Sequence, residues 1–198
     1  MKPPRLELAL RDGTPVIVRT LTMADREQTA EAYRRLSPES RYQRFWSPGG
    51  QELGAAMLTR LLDADQTNHA VWAVLDRALE APGLGAASDW RSASDAAEAE
   101  LSVTVADEHQ RRGVGTLLLA VLWLWARRNG IRSLVAFTMP RNHRASRWML
   151  DTGAHGHWDG HQAVFRWQLD DLDVLPPTPA GIDLAERLAE LSAALLPP

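Results

Sequence analysis

Near the start of the chain, two short apolar stretches stand out, Leu6-Glu7-Leu8-Ala9-Leu10 and Val16-Ile17-Val18-Arg19. Asp12-Gly13 between them is a strong turn signal, so the pair reads as a β-hairpin. Thr22 then precedes Met23-Ala24-Asp25-Arg26-Glu27. Acidic residues in a first turn mark a helix start, and this helix is expected to run to Leu36, where Ser37-Pro38 stops it. From Gln51 to Leu62 the apolar positions Leu53, Met57, Leu58, Leu61 and Leu62 follow a helical period. His69 to Leu75 reads as a buried strand.

Glu80 to Glu98 is rich in Ala, Gly, Ser and Asp and contains Pro82-Gly83, which predicts an irregular strand around Leu84 to Trp90 followed by an acidic loop. Ala99 to Val105 alternates, with Glu100, Ser102 and Thr104 on one face and Leu101, Val103 and Val105 on the other. Arg112 to Arg128 is a helix with a buried stripe of Val114, Leu117, Leu118, Val121, Leu122 and Trp125, capped by Asn129-Gly130. Ser133 to Thr138 is a strand ended by Pro140. Asn142 to Asp151 is a helix closed by Thr152-Gly153. A last hairpin joins His155–Trp158 to Gln162–Leu169 through Asp159-Gly160. Residues 1–173 thus form one domain, and 174–198 a Pro-rich linker with a C-terminal helix, Ile182 to Leu195. That helix could pack on the body or on a second subunit. The element order indicates an α/β fold, a mixed sheet with helices on both faces.

Composition narrows the classes. The chain has 198 residues, 45% hydrophobic and 24% charged, as expected of a globular domain. A net charge of −3 argues against a nucleic-acid partner. Cysteine is absent, which removes thiol nucleophiles, disulfides and Cys-based metal sites. Met1-Lys2-Pro3-Pro4-Arg5 lacks the apolar core of a signal peptide, and the apolar run Val114 to Ala126 is too short to cross a bilayer, so the protein reads as cytoplasmic with no membrane partner. Lys2 is the only lysine beside 21 scattered arginines, which we read as genome composition. The eight tryptophans are dispersed core or cleft residues.

The chemistry-bearing segment is Glu100 to Thr116. A strand ends at Val105, a short loop follows, and Gly113 and Gly115 open a long apolar helix. Backbone N–H groups at such a start are unpaired and the helix dipole is positive there. Glycines let phosphate oxygens approach those groups. The segment is built as a pyrophosphate cradle, formed by the N–H groups of 111 to 116. Neither the Gly-x-Gly-x-x-Gly dinucleotide fingerprint nor the Gly-Lys-Ser/Thr of a P-loop is present.

Gln110-Arg111-Arg112-Gly113-Val114-Gly115 instead resembles the Gln/Arg-x-x-Gly-x-Gly/Ala signature of the GNAT N-acetyltransferase superfamily. Asn142 to Gly153 looks like that family's next segment, an Asn-started helix ending in Gly. The resemblance spans residues 16 to 169 and implies a GNAT fold: a central mixed, mostly antiparallel sheet, helices on both faces, and here a C-terminal helical appendage. Leu36-Ser-Pro-Glu-Ser-Arg-Tyr-Gln-Arg-Phe45 is similar to a segment of GNAT domains in bacterial Pat-type protein-lysine acetyltransferases, which carry a fused regulatory or ligase-like module that this sequence lacks.

The resemblance implies acetyl-CoA as co-substrate, no metal, and a primary amine as acceptor. Such an amine is protonated near neutrality, so a carboxylate must take its proton. The family's pattern assigns that role to Glu100, with Glu98 as a backup on the same face. A solvated strand-edge charge is the plainer alternative for Glu100. The oxyanion donor would be a backbone N–H around Val103, Thr104 and Val105. Gln110, Arg111, Arg112, Gly113, Val114, Gly115 and Thr116 would hold the pyrophosphate, and Asn142 the pantetheine arm. The Tyr found in many relatives as acid is replaced by Met149, with Ser146 one turn away as a weak substitute. His109 and His143 are placed to line the cleft. His155, His157 and His161 straddle a turn with no second cluster of carboxylates to join them, and read as surface hairpin residues. The six acids between Asp76 and Glu100 would suit a cationic acceptor, a protein lysine or a polyamine. The rival readings are a small-molecule amine acetyltransferase and a non-catalytic acyl-CoA sensor.

Overall fold

The computed structural model describes residues 3–46, 50–170 and 175–196. The boundary expected at 173/174 lies outside them. Turn chemistry sets the first hairpin: the Thr14 N–H donates to Asp12 Oδ1 at 3.0 Å, joining β1 (Leu6–Ala9) to β2 (Pro15–Thr20). After a single 3₁₀ turn, α1 runs from Arg26 to Arg35. Ser37-Pro38 stops this helix and at once starts another, α2 (Pro38–Phe45), which the periodicity did not reveal. Ser37 Oγ accepts the Ser40 N–H at 3.1 Å and Pro38 takes the first helical position, where no N–H is needed. The next helix, α3 (Ala55–Leu62), begins later than the apolar period suggested, because Gly54 is its N-terminal cap.

The remaining elements are β3 (His69–Asp76), β4 (Pro82–Arg91), β5 (Glu98–Val105), α4 (Val114–Arg128), β6 (Ser133–Thr138), α5 (His143–Asp151), β7 (His155–Trp158), β8 (Ala163–Gln168) and α6 (Pro179–Leu195). Strand β4 pairs along β3 with one register slip, at Val74/Leu75. The eight strands form one sheet in the order β1-β2-β3-β4-β5-β6-β8-β7. Every neighbouring pair is antiparallel except β5–β6.

Strand parity divides the core. Val16, Val18, Trp72, Val74, Ala87 and Leu101 join the cluster built on α4. Ile17, Val71, Ala73 and Leu75 pack with Leu62 of α3 on the other face. Helix α4 is buried on every side from Thr116 to Ala126, not along one stripe. A helix that is apolar all round needs cover all round. The sheet covers one side, and α6 covers another with Leu184, Leu188, Leu191 and Leu195, each at most 3% exposed. Each such leucine is worth about 1.5–3 kcal/mol as an upper estimate. The C-terminal helix therefore packs on the body. A Cβ at Gly181 would lie 2.1 Å from the Pro176 carbonyl, so only glycine permits the approach of this segment to α6. Among the described residues no helix is long and apolar enough to cross a membrane.

Candidate active site

Strands β5 and β6 pair only through Glu98↔Ser133, Ala99↔Leu134 and Glu100↔Val135. Beyond Glu100 they part, while β5 stays paired to β4 as far as Val105 and β6 to β8 as far as Thr138. The facing edges of 101–105 and 136–138 thus carry backbone N–H and C=O groups with no partner strand. Such groups must be satisfied by something. The parting opens a cleft of about 1220 Å³, lined by Ser102 to Val105 on one side and by Ala136, Phe137 and Thr138 on the other.

The loop of residues 110–116 closes one end of the cleft. Arg111 (φ 64°) and Gly113 (φ 86°) both hold left-handed backbone, unusual for an arginine. The first N–H to find a backbone acceptor is that of Leu117, to Gly113 at 2.9 Å, and no hydrogen bond is formed by the N–H groups of Arg111 to Thr116 within the described residues. Free donors at a helix N-terminus can hold an anion. The Gln110 side chain spans the loop, donating to the Val105 carbonyl at 3.3 Å and accepting from Arg144 at 2.6 Å.

The predicted site residues divide in two. Glu100, Val103, Thr104, Val105, Gln110, Arg111, Gly113, Gly115, Thr116 and Asn142 all line the cleft. The side chains of Arg112 and Val114 do not. Arg112 donates to Asp12 at 2.8 Å and Thr14 at 2.7 Å, pinning the loop to the first hairpin, and Val114 is 1% exposed under β4. Asn142 Oδ1 caps α5 by accepting the Ala145 N–H at 3.1 Å. His143 lines the cleft, whereas His109 meets Arg112 at 3.0 Å. Ser146 donates to the Asn142 carbonyl at 3.0 Å and does not reach the cleft wall. His155, His157 and His161 are exposed, and among the described residues no group of three or more acids and histidines is placed to hold a metal.

Two carboxylates of one strand face have different fates. Glu98 forms an ion pair with Arg166 of β8 and accepts from Ser133 at 3.4 Å. Glu100 is exposed in the cleft, opposite Trp90 in the β4–β5 register, with no hydrogen bond or ion pair among the described residues. The other acids that suggested a cationic acceptor are engaged elsewhere. Asp76 and Asp95 cap turns, Glu80 pairs with Arg5, and Asp89 is buried and accepts the Ala70 N–H. Of the six, Glu100 alone lines the cleft.

The Ser37–Phe45 segment is a brace. Asp107, at the start of the turn before the 110–116 loop, accepts from the Ser37 N–H at 2.9 Å and from the Ser37 and Ser40 hydroxyls. Buried Arg41 donates to the Leu36 carbonyl at 2.7 Å. The brace presents Arg44 to the cleft, a residue given no role from sequence. Burial holds its pKa below the usual guanidinium value, and Glu100 works against that shift. Trp148 was likewise unassigned. It lines the cleft and donates to Thr116 at 3.2 Å, and its spacing from Ala145 and Met149 on α5 is the signal that marks this face.

Comparison with known proteins agrees with this geometry. The chain is 32% identical over 137 residues to the acetyltransferase PA5475 of Pseudomonas aeruginosa, covering 68% of this chain and 72% of that protein. Its fold matches the GNAT domain of S. lividans PAT with a TM-score of 0.77 at 27% identity, over 83% of this chain and 96% of the other. It also matches yncA of Salmonella typhimurium, a structure with its cofactor acetyl-CoA, with a TM-score of 0.64 at 22% identity, over 79% and 95% of the two chains. The model of the acetyltransferase (GNAT) domain matches residues 16–155, and the chain belongs to this family of acetyltransferases.

Proposed function

We propose that the protein transfers an acetyl group from acetyl-CoA to a primary amine by direct attack, with Glu100 as general base. The N–H groups of residues 111–116 fit a pyrophosphate, and the unpaired strand edges suit the amides of a pantetheine arm. Acetyl-CoA supplies an activated thioester carbonyl. The amine nitrogen forms the new C–N bond as the C–S bond breaks, its proton passes to Glu100 directly or through one water, and the thiolate leaves. A backbone N–H on the free edge at Val103 to Val105 would donate to the carbonyl oxygen as charge develops. The observation that carries the reading is the unpartnered carboxylate of Glu100 beside the point where β5 and β6 part.

The test is Glu100→Gln, which keeps shape but removes basicity. Turnover of acetyl-CoA should fall by about 10²–10⁴-fold while coenzyme A affinity by calorimetry stays level. The deficit should narrow as pH approaches the amine's own pKa, because the free amine then arrives deprotonated. Equal turnover in both proteins at every pH would remove Glu100 as base. Coenzyme A binding without turnover on any amine would make the protein a sensor.

A further inference from the structure

The acceptor side of the cleft carries cations. Arg44 of α2 lies 4.9 Å over the Phe45 ring, and Arg60 of α3 lies 5.1 Å over the Trp90 ring. Both line the cleft, and neither forms a hydrogen bond or ion pair within the described residues. Arg60 is exposed, whereas Arg44 is half-buried, with Glu100 acting on it only through space and no carboxylate hydrogen-bonded to its fork. Its planar fork matches a carboxylate through two parallel hydrogen bonds. Lysine-rich or polyamine acceptors would instead bring more positive charge to this wall.

Arg44 also borders a second, apolar pocket of about 100 Å³ between the sheet and α1–α3. Its walls are Tyr33, Leu36, Phe45 and Leu53, and Ala86 and Thr104 form its floor. Apolar cavities of about 150 Å³ hold benzene, so this one suits a shorter aliphatic or thioether group. Thr104 and Glu100 share one face of β5, which puts the pocket and the carboxylate on the same side of the sheet.

We propose that the acceptor is the α-amine of a small amino acid, with its carboxylate on Arg44 and its short apolar side chain in this pocket. Amine, anion and apolar group then branch from one carbon, matching Glu100, Arg44 and the pocket as three adjacent features. This rests on the transfer reading above, and the chemistry is the same: the α-nitrogen gains the acetyl carbon, coenzyme A leaves as thiolate, and the proton passes to Glu100.

The experiment compares kcat/KM for leucine and for 3-methylbutylamine, which is leucine without its carboxylate. The wild type should favour leucine by about 10–100-fold, and Arg44→Gln should bring that ratio toward one, with Arg44→Lys between. A ratio near one in the wild type, or a ratio unchanged by Arg44→Gln, overturns the proposal. Ala32→Leu, which narrows the pocket, should cut kcat/KM for leucine about tenfold more than for alanine, and an equal loss on both overturns the pocket assignment. Titration of leucine into protein saturated with coenzyme A gives a readout without turnover, in which binding lost in Arg44→Gln supports the anion site and no binding to wild type overturns it. Acetylation of a lysine-bearing peptide but not leucine would sink this proposal and leave the transfer reading standing. Arg44-dependent leucine binding with no turnover of any amine would sink the transfer reading and the acceptor role with it, leaving only an amino-acid-binding site at Arg44.

Discussion

The Ser40 hydroxyl donates to Asp107 at 2.7 Å, tying the helix that carries Arg44 to the turn that leads into the 110–116 loop. Burial alone would raise the Asp107 pKa, but the Ser37 N–H and the Ser40 and Ser37 hydroxyls outweigh it, and the net shift is downward from 3.8. A depressed carboxylate stabilises the fold above its unfolded pKa, and that contribution is lost as pH falls through the lower folded value. Asp107→Ala should therefore destabilise by about 0.5–1.5 kcal/mol at neutral pH and raise KM for both substrates. Thermal melts from about pH 7 down to pH 3 should show the gap between variant and wild type closing at the acid end. A constant gap would mean that the carboxylate charge is not what holds the brace.

Gly113 and Gly115 predict different failures. Gly113 sits at φ 86°, and a Cβ there would meet Arg11 at 3.1 Å, so Gly113→Val strains the loop itself and should lower the melting temperature. A Cβ at Gly115 would make only ordinary contacts, at 3.6 Å or more, with Trp148 and Val105. Gly115→Glu should fold with a near-wild-type melting temperature yet lose coenzyme A binding by about 100-fold or more, since a carboxylate then faces the phosphates. Calorimetry showing unchanged affinity would rule out this loop as the cradle.

Glu98 offers the control for Glu100. Glu98→Gln breaks the pair with Arg166, whose side chains are 19% and 39% exposed, so the loss of stability should be about 1 kcal/mol or less. Turnover should stay within about threefold of wild type, with no change in pH profile, because this carboxylate is not in the cleft. A pH-dependent loss matching that of Glu100→Gln would move the base to Glu98.

Asp89 should govern stability near neutrality. Burial pushes its pKa up to about 7, against the Ala70 N–H that it accepts at 3.0 Å. The folded state then holds a proton that the unfolded state releases above 3.8, so stability falls as pH rises from there to about 7 and levels beyond. Asp89→Asn keeps the acceptor and removes the charge. It should flatten that slope and be more stable than wild type at pH 8 by on the order of 1–2 kcal/mol, as read by denaturant titration. A wild-type profile flat across this window would contradict the burial argument.

Much of the frame was legible because its signals are local. Asp12-Gly13 and Asp159-Gly160 each make their own turn, Ser133–Thr138 is bounded by its flanking residues, and Asn142 caps its own helix. The loop of Gly113 and Gly115 was legible for the same reason, since two glycines and a helix start lie within a few residues. Even α2 had a local signature, a serine cap with proline in the first helical position and an acid beside it, which the stop signal at the same residues concealed.

What the sequence by itself determined, then, was the set of elements, the glycine turn that opens α4 and the face of β5 that bears the carboxylates. Tertiary structure decided which of those carboxylates is free. Glu98 and Glu100 share a face by parity, but Glu98 lies where β6 still pairs and Arg166 of β8 comes within reach, while Glu100 is the last residue before the strands part. It also decided that Arg112 serves the first hairpin, that Arg44 faces the cleft without a hydrogen-bonded or ion-paired partner among the described residues, and that α6 covers a second side of α4. Periodicity fixes which way a side chain points, whereas its partner comes from a distant strand or helix whose position depends on how the whole sheet is ordered.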